Sequence, residues 1–163
     1  MLESKQERIK YGEEAESEIL SWIRNANLVA MATGDIFGYP EEFENPKDAT
    51  YARLMNMVLG DIIVFGYGGV DVKRGSYIVT LDSTKKFLGC DYILTNGAMD
   101  RNKTYVIPRH AVVNYINKVE LEKLEKLEGG SLGYRLTPSR MYSAKKFDDW
   151  LKERINGSKT LQN

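Results

Sequence analysis

Residues 60–73 read GDIIVFGYGGVDVK and carry the strongest structural signal in the chain. Two runs rich in β-branched and aromatic residues, Asp61–Phe65 and Val70–Lys73, flank the glycine-rich segment Gly66–Gly69. Strand-like runs joined by a short glycine-rich turn are typical of a β-hairpin. The segment therefore predicts two paired strands, and the rest of the chain is interpreted outward from them.

Three ionisable residues lie among the apolar residues of this hairpin. Asp71 and Lys73 share one face of their strand because successive side chains alternate, while Val70 and Val72 share the other face. Pairing brings the strand of Asp61 beside them. Ionised groups in an apolar sheet are costly unless they are paired or bind a cation. The pattern predicts either a hard-cation site with a neighbouring lysine or a surface hairpin with an Asp/Lys salt pair.

In the cation-binding interpretation, Mg²⁺ suits this set of donors. It is held by one or two carboxylates, a carbonyl and several waters, and a substrate phosphate completes its octahedron. A bound metal lowers the pKa of its water and neutralises charge on a phosphate. A lysine beside it positions that water or stabilises the transition state electrostatically. This interpretation predicts hydrolytic chemistry at a phosphate.

The same residues resemble the motif of the PD-(D/E)xK nuclease superfamily. Glycine stands at position 60, where proline is usual, and nine residues separate Asp61 from the Asp71-Val-Lys73 run. In the N-terminal helix, Gly12-Glu-Glu-Ala-Glu16 resembles the Gly-x-x-x-Glu of the superfamily's archaeal Holliday-junction resolvases. The resemblance covers roughly residues 10–107. It departs from the pattern in the insertion Gly34–Leu59 and in the lack of a glutamine soon after the lysine.

The resemblance implies an α/β fold in which helices flank a mixed central sheet, in the restriction-endonuclease-like arrangement. Asp61 and Asp71 would bind Mg²⁺, or Mn²⁺ as a substitute, together with the carbonyl of Val72. Lys73 would be the catalytic lysine, and Glu16 a direct or water-mediated metal ligand. Glu14 and Glu18 compete with Glu16 for this role on the same helix.

The implied function is metal-dependent hydrolysis of DNA phosphodiester bonds by an endonuclease. A structure-specific enzyme like a Holliday-junction resolvase competes here with a sequence-specific or general endonuclease. A homodimer is expected, because two cuts need two sites. The alternative is a non-catalytic nucleic-acid-binding module that retains the nuclease fold. A third interpretation is an interaction domain in which the Glu/Lys-rich segment Val119–Glu128 docks a partner.

Charge is unevenly distributed along the chain. Residues 1–72 hold 6 Lys and Arg against 13 Asp and Glu, a balance of −7, and residues 73–163 hold 17 against 10, a balance of +7. A basic half favours a polyanionic partner, unless folding simply mixes the charges. Lys85, Lys86 and Arg109 are candidate contacts to DNA phosphates.

Length and composition exclude several other classes. The 163 residues and 42% hydrophobic content predict a single globular domain over residues 1–163, with a core at about 10–107 and a helical C-terminal extension at 108–155. The single cysteine, Cys90, permits no intrachain disulfide, and the single histidine, His110, excludes Cys/His zinc sites. No apolar run approaches a membrane span and the N-terminus is charged, so we expect no membrane association and a cytoplasmic location with DNA.

The remaining elements follow from hydrophobic periodicity and Gly/Pro punctuation. Helices are predicted at Glu7–Asn25, Thr50–Leu59, Asp82–Leu88, Ala111–Asn117, Val119–Glu128 and Ala144–Ile155. Further strands are predicted at Leu28–Thr33, Ser76–Leu81, Asp91–Thr95 and Lys103–Ile107. The segment Gly34–Ala49 is predicted to be a loop or lid.

Overall fold

The computed structural model describes residues 4–75, 78–80, 90–108, 110–111, 125–126, 132–135 and 144–161. Within these ranges lie four α-helices: α1 (Lys5–Asn25), α2 (Thr33–Phe37), α3 (Pro46–Leu59) and α4 (Phe147–Leu161). The strands are β1 (Ala30–Ala32), β2 (Ile62–Val64), β3 (Gly68–Arg74), β4 (Ile78–Thr80), β5 (Cys90–Thr95), β6 (Tyr105–Ile107), β7 (Glu125–Lys126), β8 (Leu132–Arg135) and β9 (Lys145–Lys146). Short 3₁₀ helices occupy Pro40–Glu42 and Arg101–Lys103.

A six-stranded mixed sheet in the order β1-β2-β3-β5-β6-β9 is the centre of the molecule. Its β3 and β5 are parallel, and its other neighbouring strands are antiparallel. A separate antiparallel sheet has the order β4-β8-β7. The predicted mixed α/β class and the predicted hairpin, formed by β2 and β3, are confirmed. Among the described residues, no helix is long and apolar enough to cross a bilayer.

Helix α1 forms where its sequence supplies a complete N-terminal cap. The Ser4 side chain accepts a hydrogen bond from the backbone N–H of Glu7 at 3.1 Å, and the Glu7 carboxylate accepts one from the Ser4 N–H at 3.0 Å. This reciprocal capping satisfies two of the helix's orphan donors. Ala15, Ile19 and Ile23 then lie on one buried stripe facing the sheet.

The core lies on the face of the sheet that α1 and α4 cover. The strands contribute Ile62, Val64, Val70, Val72, Ile93 and Val106 to it. Phe147 of α4 packs between two tryptophans, with ring centroids 5.5 Å from Trp22 and 5.8 Å from Trp150. Because side chains alternate along β3, Asp71 and Lys73 point away from this core.

The predicted loop at Gly34–Ala49 is wrong, because much of it is helical. Helix α2 begins at Thr33, the 3₁₀ turn follows, and α3 begins at Pro46 rather than Thr50. Asn45 caps α3 by accepting a hydrogen bond from the N–H of Lys47 at 2.9 Å, and proline suits the first helical position. The Asn45-Pro46 pair therefore marks the N-terminus of α3 rather than a loop.

The helical C-terminal extension is also partly wrong. Glu125–Lys126, inside the predicted helix Val119–Glu128, forms strand β7 because it pairs with β8, and this pairing overrides the helical preference of its residues. Lys145–Lys146 pairs with β6 as the edge strand β9, so the last helix begins at Phe147 instead of Ala144.

Other predictions fall on the central sheet or outside the described residues. The strand predicted at Ser76–Leu81 appears as β4, but it pairs with β8 rather than extending the central sheet. The strand predicted at Asp91–Thr95 is confirmed as β5, whose first residue, Cys90, is a buried thiol. The helix predicted at Asp82–Leu88 lies outside the described residues, as does all of Ala111–Asn117 after its first residue.

Candidate active site

The hairpin brings two aspartates together. Ile62 of β2 pairs with Val70 of β3, and Asp61 is the residue just before β2. The backbone N–H of Asp61 donates to the carbonyl of Val70 at 2.9 Å, and the N–H of Val72 donates to Asp61 Oδ2 at 2.8 Å. The carboxyl groups of Asp61 and Asp71 lie close enough to share a hydrogen bond.

Gly60 makes this approach possible and explains why proline is absent before Asp61. Its φ is +75°, a left-handed conformation that proline, with φ fixed near −65°, does not adopt. A Cβ at this position would lie 2.5 Å from the carbonyl oxygen of Val70. The Gly60 N–H also donates to the Asn56 carbonyl at 2.8 Å, which ends α3. Glycine here lets α3 turn sharply into the hairpin.

Asp71 is the most deeply buried charged residue of this site. It is 1% exposed, and Lys73 Nζ lies 3.3 Å from its Oδ2, an atom that accepts no well-formed hydrogen bond from the described residues. Tyr92 of the parallel strand β5 is directly opposite Asp71. Burial, with the Asp71 carboxylate next in importance, raises the pKa of the Tyr92 phenol. The buried Asp71 carboxylate thus lies beside both the Lys73 ammonium and the Tyr92 phenol.

The pKa values of the neighbouring groups report an excess of negative charge. Burial raises the pKa of Asp61 well above its usual value, and the carboxylates of Asp71 and Glu16 raise it further, against the opposing effect of the Val72 N–H. Burial alone would lower the pKa of Lys73, but Asp71, Asp61 and Glu16 together bring it above its ordinary value. Burial and the neighbouring carboxylates therefore disfavour the ionised form of Asp61, and the same carboxylates keep Lys73 protonated.

The structure distinguishes among the three candidate glutamates of α1. Glu14 Oε2 lies 3.2 Å from the guanidinium of Arg74, and Glu18 accepts a hydrogen bond from the Trp22 indole at 2.9 Å. Glu16 instead lines the two clefts that open at Asp61. Of the three, Glu16 is the one that faces the aspartates. It is also the glutamate of the Gly-x-x-x-Glu pattern in the N-terminal helix.

Arg74 fixes the position of α1 relative to the hairpin. Its guanidinium donates to the carbonyl of Tyr11 at 2.9 Å and to the carbonyl of Gly97 at 2.8 Å, and it stacks 3.7 Å from the centre of the Tyr11 ring. These contacts join α1 to the end of β3 and the segment after β5. Arg74 directly follows Lys73, so the same strand carries the lysine and the anchor that sets Glu16.

Two clefts meet at Asp61. The first, of about 420 Å³, runs between α2 and α3 and is lined by Glu16, Ala32, Thr33, Gly34, Gly38, Tyr39, Pro40, Ala52, Arg53, Asn56, Met57 and Asp61. The second, of about 400 Å³, is lined by Glu13, Glu16, Ser17, Leu20, Ala32, Tyr39, Glu41, Glu42, Asp61 and Ile62. The first cleft is mostly apolar, whereas the second is rich in carboxylates.

The sequence-predicted site residues divide into three groups. The hairpin brings Asp61, Asp71 and Lys73 together, and Glu16 stands at the adjoining clefts. In the described part of the chain, no group of three or more His, Cys, Asp or Glu side chains is arranged to hold a metal ion. The predicted DNA contacts lie outside the described residues: Lys85, Lys86 and Arg109.

Sequence reasoning gave Tyr92, Thr33 and Arg53 no specific place in the site. Tyr92 reaches Asp71 only through the parallel pairing of β3 with β5, and Arg53 reaches the first cleft only through the fold of α3.

Comparison of the chain with protein-family models, curated proteins and solved structures finds no match. The geometry of Asp61, Asp71 and Lys73 is therefore the basis for a functional proposal.

Proposed function

We propose that this protein is a Mg²⁺-dependent endodeoxyribonuclease with a restriction-endonuclease-like core, a member of the PD-(D/E)xK superfamily that acts on branched or otherwise non-duplex DNA. One observation carries the proposal: the carboxyl groups of Asp61 and Asp71 lie within hydrogen-bonding reach of each other beside the hairpin of β2 and β3, with Lys73 Nζ 3.3 Å from the Asp71 carboxylate. The order helix-Glu, strand-Asp and strand-Asp-x-Lys matches the motif that the sequence resembles.

The donor set fits a magnesium ion. Mg²⁺ usually keeps several waters and takes only one or two protein carboxylates, so a site of two aspartates meets its needs without a third close carboxylate. Asp71 Oδ2 accepts no hydrogen bond from the described residues, so its lone pairs are available to coordinate a metal. Asp61 and Asp71 would hold the ion, with the Val72 carbonyl, and Glu16 would contact it directly or through water. Mn²⁺ would substitute, since it prefers the same oxygen ligands.

Lys73 acts in this proposal as a fixed positive charge rather than as a base. Its pKa is raised by the surrounding carboxylates, so the ammonium group keeps its proton at neutral pH. When bound, Mg²⁺ supplies an activated water and neutralises charge on the phosphate. The Lys73 ammonium orients the incoming nucleophile and stabilises the negative charge that develops on the phosphate oxygens.

The excess of carboxylates separates this proposal from the alternatives. A surface salt pair needs one carboxylate for one lysine, whereas burial of the paired Asp61 and Asp71 is costly without a cation. A module that only binds nucleic acid gains nothing from buried carboxylates, because they repel phosphate. We further propose a homodimer, since two cuts need two sites, and action in the cytoplasm on cellular DNA.

Calorimetric titration with Mg²⁺, together with a cleavage panel, tests the proposal. Wild type and the exposed control variant Glu44→Gln should bind Mg²⁺ alike, and Asp61→Ala should bind it far more weakly. With Mg²⁺ present, wild type should cleave at least one of three DNAs, single strand, flap and four-way junction, in preference to linear duplex. Metal binding that survives Asp61→Ala, or a panel left intact by wild type, would refute it.

A further inference from the structure

The cleft between α2 and α3 is lined by residues that suit a flat apolar ligand group. Ala32, Gly34, Pro40, Ala52 and Met57 line it. The ring of Tyr39 packs directly on the backbone at Gly34, since a Cβ there would overlap the ring. Its volume of about 420 Å³ lies within the usual range for small-ligand pockets, about 300–1,000 Å³.

Tyr39 presents a neutral aromatic surface to this cleft. Its hydroxyl donates to Asp35 Oδ1 at 2.9 Å, which fixes the ring, and 36% of the residue remains exposed. Burial, with the Asp35 hydrogen bond next, raises the pKa of the phenol to about 12. The ring therefore carries no charge at neutral pH and is free to stack on a nucleobase.

Two polar groups in the cleft have no partner among the described residues. Thr33 is 1% exposed, and its hydroxyl oxygen makes no hydrogen bond. Arg53 is exposed and makes no ion pair within the described part of the chain. A buried hydroxyl without a partner is costly, and a ligand that supplies one removes the cost. The cleft thus offers an aromatic face, a hydroxyl and a cation.

The two clefts differ sharply in charge, which orients a DNA strand at Asp61. Of the described residues that line them, Arg53 alone is positively charged, and it belongs to the first cleft. The second cleft carries Glu13, Glu41 and Glu42 beside the site carboxylates. A phosphate backbone is repelled from the second cleft and attracted to the rim of the first.

We propose that the first cleft binds one unpaired nucleotide beside the bond that is cut, with its base against Tyr39 and its phosphate at Arg53. This inference rests on the proposed nuclease function and names its substrate class: DNA with an unpaired nucleotide at the cut site. A base stacked inside a duplex cannot reach a recessed pocket, so it must leave the stack, and an already unpaired base does so at least cost. Thr33 then contacts an edge of that base.

The test compares two DNAs of the same sequence, one fully paired and one with a single unpaired nucleotide at the cut site. With Mg²⁺, wild type should cleave the unpaired DNA more efficiently, by between about five-fold and a hundred-fold in kcat/KM, from the usual strength of base–aromatic stacking. Tyr39→Ala should remove most of this preference, and Tyr39→Phe should retain it. Tyr51→Ala serves as the matched control, because Tyr51 is 54% exposed on α3 and does not line the cleft.

A second variant covers the case in which Tyr39→Ala fails to fold. Arg53 is exposed, so Arg53→Ala leaves the core intact, and it should weaken binding of the unpaired DNA about ten-fold. Equal cleavage of both DNAs by wild type, or a preference unchanged in Tyr39→Ala and in Arg53→Ala, would overturn this inference while the nuclease proposal stands. If wild type cleaved neither DNA but did cleave a flap or a four-way junction, this inference alone would fail; if it cleaved none of these DNAs with Mg²⁺, the nuclease proposal would fail with it.

Discussion

Replacing Asp71 with asparagine should remove metal binding without destabilising the metal-free protein. The substitution keeps the shape of a side chain that is 1% exposed and removes its charge. An ordinary buried ion pair behaves in the opposite way, since the loss of one partner usually costs about 3–5 kcal/mol. The stability of Asp71→Asn without metal therefore separates a metal site from a structural salt bridge.

The expected magnitude follows from the charges around Asp71. At an effective dielectric constant of about 20, attraction to Lys73 at 3.3 Å is about 5 kcal/mol, and the 33% exposure of the Lys73 side chain reduces it. When Asp61 is ionised, its repulsion of the Asp71 carboxylate at ~5 Å is about 3 kcal/mol. Asparagine also avoids most of the several kcal/mol that desolvation of a carboxylate costs. The variant should equal wild type or exceed it by up to about 2 kcal/mol.

Thermal melting in EDTA and in saturating Mg²⁺ measures both states. At a metal concentration one hundred times Kd, wild type gains about 2.7 kcal/mol, or roughly 5–10 °C in Tm for a domain of this size. Asp71→Asn should gain little, so the order of the two melting temperatures should reverse on adding metal, while Glu44→Gln follows wild type. The reasoning would be refuted if Asp71→Asn were less stable than wild type by more than about 3 kcal/mol of unfolding free energy in EDTA and Mg²⁺ did not raise the Tm of wild type.

Three further predictions concern the same site and its partner. Lys73→Ala should lower kcat about 10²–10³-fold, the usual loss for one electrostatic stabiliser, while calorimetry shows Mg²⁺ affinity unchanged or improved; full activity would exclude Lys73 from the reaction. In metal-free protein, Asp61→Asn should be more stable than wild type at neutral pH: the raised pKa of Asp61 favours the fold below its unfolded pKa of about 3.9, and this is lost as pH rises through the folded pKa. Its advantage in urea melts should therefore grow with pH from about 4; a constant advantage would show that Asp61 does not titrate as proposed. The slope of log K against log[salt] for DNA binding should be about −0.9 per phosphate contacted and should flatten when Lys85, Lys86 and Arg109 are neutralised together; a salt-independent affinity would count against DNA as the ligand.

The aspartates and lysine of the site were predictable because their arrangement is local. A glycine-rich turn fixes the pairing of two short strands, and alternation then decides which residues share a face. Asp61 and Asp71 are ten positions apart in sequence, so no distant part of the chain is needed to bring them together. The N-terminal helix was predictable for a similar reason, since its apolar stripe is continuous.

The features that escaped prediction depend on distant contacts. Which glutamate of α1 faces Asp61 is set by the rotation of the helix, and Arg74 fixes it through the carbonyl of Tyr11, 63 positions away in sequence. Strand β9 consists of two lysines with no strand pattern of their own, and only pairing with β6 makes it a strand. The first cleft lies where residues of α2 and α3 come together beside Asp61, and sequence periodicity does not report such a contact.

Mg²⁺-dependent DNA cleavage by wild type, Asp71→Asn and Glu44→Gln, side by side on the preferred DNA, tests the central claim most directly. The claim is that Asp61, Asp71 and Lys73 form a metal-dependent nuclease site. Wild type and Glu44→Gln should cleave at equal rates, EDTA should stop both, and Asp71→Asn should show no cleavage above background although it is folded by melting. Cleavage by Asp71→Asn at the wild-type rate would contradict the claim.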